Sequence, residues 1–211
     1  MQIFKEIGEL RLFPTTVYTA ELNEPEFLSE YVAYLHTLRK NEQGRENANG
    51  NWCSTDDLNV DLRWQGLKEL LLKTVKITLD DRGIIYKDVR MTCMWANIHA
   101  SGSFHQQHNH PNCMYSGVIY LKVPTKDPGN FYFRDPRAAA NNIVFDYKDG
   151  KDPHDYYSIV PKQGKILVFP NWLEHGTLAG EYGSEERISV SFNVTLECEI
   201  KGKHTVRAEY R

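Results

Sequence analysis

The chain lacks the features that mark membrane proteins and disulfide-stabilised secreted proteins. Its longest uninterrupted apolar run spans only a few residues, whereas a membrane-spanning helix needs roughly 20. The first residues show no apolar stretch typical of a signal peptide, and the four cysteines, Cys53, Cys93, Cys113 and Cys198, form no C-x-x-C pair. We therefore expect a cytoplasmic protein with reduced thiols and no contact with a membrane.

Charge of one sign is not concentrated anywhere in the sequence. The formal net charge is −3, and no run of like charges exceeds a few residues. Because there is neither a basic arm nor a polybasic anchor, we expect no nucleic-acid partner. The 211 residues, 41% of them hydrophobic, predict a single domain over 1–211, with a strand and a helical buttress in 1–83 and a β-barrel core in 84–211. The oligomeric state stays open.

The first third of the chain has a mainly helical pattern. Apolar residues around Pro14 predict an edge strand over 10–17, since proline cannot donate a ladder hydrogen bond. Apolar residues spaced by three to four predict amphipathic helices over 24–39 and 61–80. The segment 40–51 between them is rich in Asn and Gly and has no apolar face, which predicts a mobile loop.

From Ile84 onward the pattern becomes that of β-strands. Segments rich in β-branched and aromatic residues are separated by Gly, Pro, Asn or Asp clusters. The predicted strands are 89–98, 115–123, 130–134, 156–160, 165–169 and 187–196. Short strands after two helices predict a mainly β fold, a jelly-roll or barrel with the helices packed on one face.

Histidines are concentrated in one short segment, where four of the eight lie within 99–110. In extended chain His108 and His110 point to the same side, and His175, at a predicted strand end, can complete a triad. Three imidazoles leave coordination positions of a metal open for substrate or dioxygen, although imidazole does not identify the metal. The alternative is a set of exposed polar histidines, with His175 packed against Trp172.

Strict alternation runs through the predicted strand at 187–196. One face would carry Arg187, Ser189, Ser191 and Asn193, and the other Ile188, Val190, Phe192 and Val194. If the polar face lines a barrel, the guanidinium needs an anion, and its planar fork matches a carboxylate. The phenol of Tyr120 can donate to the same carboxylate, and Asn97 is a weaker candidate. The alternative is a solvent-facing arginine with Tyr120 in the core.

A set of motifs occurs in a fixed order across roughly 89–195. They are Trp95 to Asn97, His108 to Pro111, Ser116 to Pro124, Asp135 to Arg137, Phe169 to His175 and Arg187 to Asn193. Together they resemble the iron(II)- and 2-oxoglutarate-dependent oxygenase superfamily, and in particular a bacterial and phage branch with a His-x-His-Pro motif. The ordered set is far more specific than any single motif.

The resemblance implies a double-stranded β-helix in which His108 and His175 bind Fe(II). It also implies that Arg187 and Ser189 hold the distal carboxylate of 2-oxoglutarate, with help from Tyr120. The implied activity is that of a dioxygenase, which uses dioxygen to convert 2-oxoglutarate to succinate while it oxidises an unknown small-molecule or peptide substrate. The superfamily usually has Asp or Glu where this chain has His110. We expect His110 to be the third ligand, which leaves the metal centre one unit more positive. The alternative is that His110 only lies near a metal held by His108, His175 and water.

Two other functions fit parts of the sequence. A three-histidine, cupin-like metal dioxygenase would bind its substrate directly on iron without 2-oxoglutarate, but it would leave Arg187 without a partner. A non-catalytic β-sandwich could bind a sugar or a peptide by stacking it on tryptophan, although dispersed tryptophans are more often core residues. In either case the segments 40–51 and 135–155 are long and irregular, which predicts lids.

Overall fold

The computed structural model describes residues 13–48, 50–137 and 156–198. Within these ranges it has two α-helices and eleven β-strands. They are β1 (Tyr18–Glu21), α1 (Leu28–Lys40), β2 (Arg45–Glu46), β3 (Asn51–Cys53), α2 (Gln65–Asp81), β4 (Asp88–His99), β5 (His105–His108), β6 (Tyr115–Lys122), β7 (Phe131–Arg134), β8 (Tyr156–Ile159), β9 (Lys165–Pro170), β10 (His175–Thr177) and β11 (Arg187–Glu197).

The strands form two antiparallel sheets. The seven-stranded sheet has the order β1-β9-β6-β11-β4-β3-β2, and the four-stranded sheet has the order β5-β10-β7-β8. Strands β4 and β11 pair along almost their whole length at the centre of the larger sheet. Side chains from both sheets share an apolar cluster, so the sheets lie face to face. The predicted mainly β jelly-roll with two helices is confirmed.

The main hydrophobic core lies between the larger sheet and the helices. Helix α2 contributes the fully buried Leu67, Leu71, Val75 and Leu79. Strand β11 contributes Ile188, Val190, Phe192 and Val194 from one face. Each such side chain stabilises the fold by about 1.5–3 kcal/mol relative to an exposed position. The alternation predicted for β11 is therefore confirmed, and its polar face is left for the space between the sheets.

The helices and the first strand begin later than predicted. The residues before α1 form a turn in which the Leu28 amide donates to the Pro25 carbonyl, so the helix starts at Leu28. Two short 3-10 turns precede α2, which starts at Gln65. The edge strand lies at Tyr18–Glu21, beyond Pro14, and pairs with β9. Residues 1–12 lie outside the described part of the chain.

The prediction of a loop over 40–51 was wrong in part. Arg45 and Glu46 form β2, which pairs with Cys53 and Trp52 of β3 in a short hairpin. Trp52, which is only 2% exposed, lies just beyond the segment 40–51. The composition of that segment therefore gave no sign of a buried side chain. Of the second predicted lid, residues 138–155 lie outside the described residues. None of the described helices is both long and apolar enough to cross a membrane.

Gly117 on β6 is the ladder partner of Phe192 on β11. A Cβ there would collide with the ring of Phe192 and would lie 2.7 Å from the backbone oxygen of Leu167. The backbone at Leu167 could move away from the new methyl group only at a cost in free energy. We therefore expect Gly117→Ala to lower the free energy of unfolding by about 1–3 kcal/mol. Chemical denaturation measures this loss. The exposed Lys76→Ala on α2 is the control, with an expected change within about 0.5 kcal/mol. Equal stability of the two variants would contradict the close approach.

Candidate metal and anion site

Three histidines meet at one end of the four-stranded sheet. His108 ends β5 and His175 begins β10, and the two residues are direct partners in the antiparallel ladder. His110 lies in the turn after β5. Its amide donates to the Asn171 carbonyl, and the Asn171 side-chain amide donates to the His110 carbonyl. Strand β5 ends at His108, so His110 lies just beyond the strand. The reciprocal hydrogen bonds with Asn171, which the sequence reasoning missed, hold His110 at the site.

The ring nitrogens of the triad are close enough to share one ion. One ligand atom from each of His108, His110 and His175 lies within 4.8 Å of the others, and the Nε2 atoms of His110 and His175 are 3.2 Å apart. Nδ1 of His108 lies 2.7 Å from the Gln106 carbonyl oxygen, and Nδ1 of His175 lies 2.8 Å from that of Leu173. A carbonyl only accepts, so both Nδ1 atoms carry the proton and both Nε2 atoms are free to bind a metal.

Burial keeps two of the three imidazoles neutral. Burial, together with the charge that a protonated His108 would carry, lowers the pKa of His175 to about 3 and that of His110 to about 4. The rings of Phe131 and Phe169 pack on the His175 imidazole at centroid distances of 5.5 and 4.6 Å. Metal binding requires neutral imidazole, so His110 and His175 meet this condition before any ion arrives.

Arg187 lies in the same cavity and is only 1% exposed. Its Nη1 donates to the carbonyl oxygens of Pro128 and Gly129, both at 2.7 Å, and its Nη2 donates to Nδ1 of His99 at 3.0 Å. Among the described residues no carboxylate pairs with it. Burial lowers the pKa of Arg187, but a guanidinium keeps its proton in proteins. The Nε–H and one of the two Nη2–H groups have no partner among the described residues, so the guanidinium can still donate to a carboxylate.

Three further predicted residues line the cavity with Arg187. Ser189 is the ladder partner of both Tyr120 on β6 and Asn97 on β4, so the three side chains form a row across the larger sheet. The Tyr120 hydroxyl and the Asn97 amide oxygen are buried and have no hydrogen-bond partner in the described chain. Burial raises the pKa of Tyr120, which keeps its phenol a donor. If the Asn97 side-chain amide were rotated by half a turn, its NH₂ group would take the place of the oxygen and could donate a hydrogen bond.

All seven predicted site residues line one cavity between the two sheets. Two further histidines line it as well. His99 is the partner of Arg187, and burial with that positive charge lowers its pKa to about 2. His105 lies 5.1 Å from the His108 ring, and burial lowers its pKa to about 4. The density of histidines over 99–110 was the signal that could have found both, but it was assigned to His108 and His110 alone.

A family comparison covers the part of the chain that builds this cavity. Residues 93–193 match the model of a family described as "Putative 2OG-Fe(II) oxygenase", where 2OG is 2-oxoglutarate. The matched range contains the histidine triad and the residues grouped around Arg187. No curated protein matches the sequence.

Several solved structures share the fold. A prolyl-4-hydroxylase from Pseudomonas putida is 15% identical, with a TM-score of 0.56 over 85% of this chain and 92% of that chain. HygX from Streptomyces hygroscopicus, with nickel and 2-oxoglutarate bound, is 12% identical, with a TM-score of 0.56 over 86% and 83%. The viral collagen prolyl hydroxylase of Paramecium Bursaria Chlorella virus-1, a 2-oxoglutarate complex, is 14% identical, with a TM-score of 0.52 over 86% and 97%. At these identities the likeness concerns the fold alone.

We expect one divalent transition metal to bind per chain. His175→Ala removes a buried ligand, so the affinity for Ni(II), measured by calorimetry without dioxygen, should fall by roughly 100-fold or more. His36→Ala is the matched control, because His36 lies on α1 and contacts Glu186 on the surface. Its affinity should equal that of the wild type. Unchanged binding by His175→Ala would show that the triad is not the metal site.

Proposed function

We propose, for a chain that belongs to the 2OG-Fe(II) oxygenase family through residues 93–193, that His108, His110 and His175 hold the iron and that Arg187 holds the cosubstrate. The observation that carries the proposal is the pairing of two unsatisfied features in one cavity. The imidazole triad brings one ring nitrogen from each histidine close together, and the buried guanidinium lacks a carboxylate partner among the described residues. A divalent metal and a dicarboxylate would satisfy both.

The donor groups fit 2-oxoglutarate at its distal end. The free fork of Arg187 matches a carboxylate bidentately, and the unpartnered Tyr120 hydroxyl can donate a further hydrogen bond to it. Ser189 and Asn97 border the same spot on β11 and β4. The triad fits the metal, because backbone carbonyls orient the rings of His108 and His175 before an ion binds.

Iron and 2-oxoglutarate, when bound, supply the oxidising chemistry, in which dioxygen, 2-oxoglutarate and a substrate C–H bond yield succinate, carbon dioxide and the hydroxylated product. The chain's own contribution is orientation and exclusion of water. Arg187 and Tyr120 fix the cosubstrate, and Phe131 and Phe169 shield His175 from solvent. The substrate that we propose is a small molecule or a peptide.

The structure weighs against both rival functions. A three-histidine dioxygenase that binds only its substrate on iron would leave Arg187 and the Tyr120 hydroxyl buried without a ligand, which is costly. In a non-catalytic site for sugars only Trp95, which lines the cavity, and the half-exposed Trp172 could stack on the ligand, because Trp52 and Trp64 are core residues. A neutral sugar would also leave the charge of Arg187 without an anion. The 2-oxoglutarate-dependent reaction avoids both problems, because its cosubstrate would pair with Arg187 and with the Tyr120 hydroxyl.

Succinate formation from 2-oxoglutarate tests the function directly. With Fe(II), ascorbate and a lysate-derived substrate pool, the wild type should form succinate.

Arg187→Lys keeps the charge but loses the planar fork, so the Kd for 2-oxoglutarate should rise by roughly 10- to 100-fold. Lys165→Arg, on β9 next to Glu21, is the control and should bind like the wild type. If Arg187→Lys bound 2-oxoglutarate as tightly as the wild type, Arg187 would not be the residue that holds the cosubstrate.

Tyr120→Phe separates a binding role from a structural one. Its hydroxyl has no partner in the described chain, so its loss should not lower the free energy of unfolding without ligand. The Kd for 2-oxoglutarate should nevertheless rise by about tenfold, because a hydrogen bond to a carboxylate is lost. Tyr182→Phe should show the opposite pattern, since its hydroxyl donates to the Ala100 carbonyl at 2.7 Å. Thermal unfolding and calorimetry of both variants measure the two effects, and identical behaviour would refute the assignment.

A further inference from the structure

The described wall of the cavity contains no carboxylate. Its charged and ionisable members are Arg187, Tyr120 and the histidines His99, His105, His108, His110 and His175. The tyrosine is neutral, and each histidine is either neutral or, if protonated, positive. The wall therefore carries at least one positive charge, whatever the protonation of the imidazoles.

The assembled site keeps that excess. A divalent metal adds two positive charges, and 2-oxoglutarate adds two negative ones, so these two cancel and the charge of Arg187 remains. An Asp or Glu in place of His110 would cancel it. In a confined cavity of low effective dielectric, an uncompensated charge favours any bound group of opposite sign.

Unused donors border the cavity at the end farther from Arg187. Ser191 and Trp95 face each other across β11 and β4, and the Trp95 ring lies 5.5 Å from the His110 ring. Both side chains are half-buried and line the cavity. Neither the Ser191 hydroxyl nor the Trp95 indole N–H hydrogen-bonds to any residue that the structure describes. Ser191 lies four residues from Arg187, about 13 Å along the strand.

We infer that the substrate carries a carboxylate or another singly charged oxyanionic group, which binds beside His110 and accepts hydrogen bonds from Ser191 and Trp95. The inference rests on the proposed function, because the remaining charge is counted with the metal and 2-oxoglutarate in place. It adds a substrate class, that of acidic molecules, and a second anion position at the metal end of the cavity. The two anion positions are distinct, since Arg187 serves the cosubstrate.

Acetate and acetamide are matched probes for this position, because they have the same shape and differ in charge. The protein is loaded with Co(II) and saturating 2-oxoglutarate without dioxygen, and each probe is titrated while calorimetry and the visible spectrum of Co(II) are recorded. We expect acetate to bind about tenfold or more tightly than acetamide. Acetate affinity should stay constant as 2-oxoglutarate is raised beyond saturation, which separates this position from that of the cosubstrate.

Two variants of Ser191 isolate the charge. Ser191→Asp and Ser191→Asn are isosteric with each other and leave the triad intact. The aspartate should weaken acetate binding by about tenfold or more relative to the asparagine. His110→Asp removes the same excess charge at the metal and should act in the same direction. If a variant fails to fold or to take up Co(II), the contrast between acetate and acetamide in the wild type decides.

Four results would overturn the inference. They are no acetate binding, equal binding of acetamide, equal acetate affinity in the two Ser191 variants, and chloride binding as tight as that of acetate, which would indicate a free inorganic anion rather than a substrate group. Binding of 2-oxoglutarate is measured first and tests the proposed function. If 2-oxoglutarate binds and acetate does not, the inference alone fails. If 2-oxoglutarate does not bind, both fail.

Discussion

The structure depends on a guanidinium that is buried without an acidic partner in the described part of the chain. Arg187 is held by the carbonyl oxygens of Pro128 and Gly129 and by the Nδ1 of His99. Gly129 is required there, since a Cβ would lie 2.7 Å from Nη1 of Arg187. Carbonyl dipoles and a neutral ring fix the orientation of the group but do not neutralise its charge. The described residues therefore maintain a positive charge inside the protein that they do not neutralise and that a bound anion would compensate.

One strand connects that charge to the stability of the whole domain. The apolar face of β11 packs against the helices through Ile188, Val190, Phe192 and Val194, while Arg187, Ser189 and Ser191 face the second sheet. Because side chains alternate with a strict period of two, a slip of one residue would bury the arginine among leucines and expose the core. The hydrophobic packing thus sets the register, and the register places the anion-binding groups.

The features that follow from sequence periodicity were predictable, and those that depend on tertiary partners were not. The alternation of β11 and the spacing in both helices identified the core face and the polar face. His99 could not be assigned, because its role arises only when β11 places Arg187 beside β4. Strands β5 and β10 have four and three residues, which is too short for a periodic pattern. The hairpin of β2 and β3 was missed because Trp52, which anchors it, follows the polar segment.

The orientation of the triad explains how a site without acidic ligands can be preorganised. In many metal sites a carboxylate fixes the tautomer of a ligating histidine. Here the backbone does so, since the carbonyls of Gln106 and Leu173 accept from the Nδ1 atoms of His108 and His175. Each carbonyl belongs to the residue two positions before its histidine, Gln106 within β5 and Leu173 in the turn before β10, so the local backbone sets the ring. A backbone acceptor orients the ligand without adding a negative charge, and the cavity keeps the positive charge that draws an anion into it.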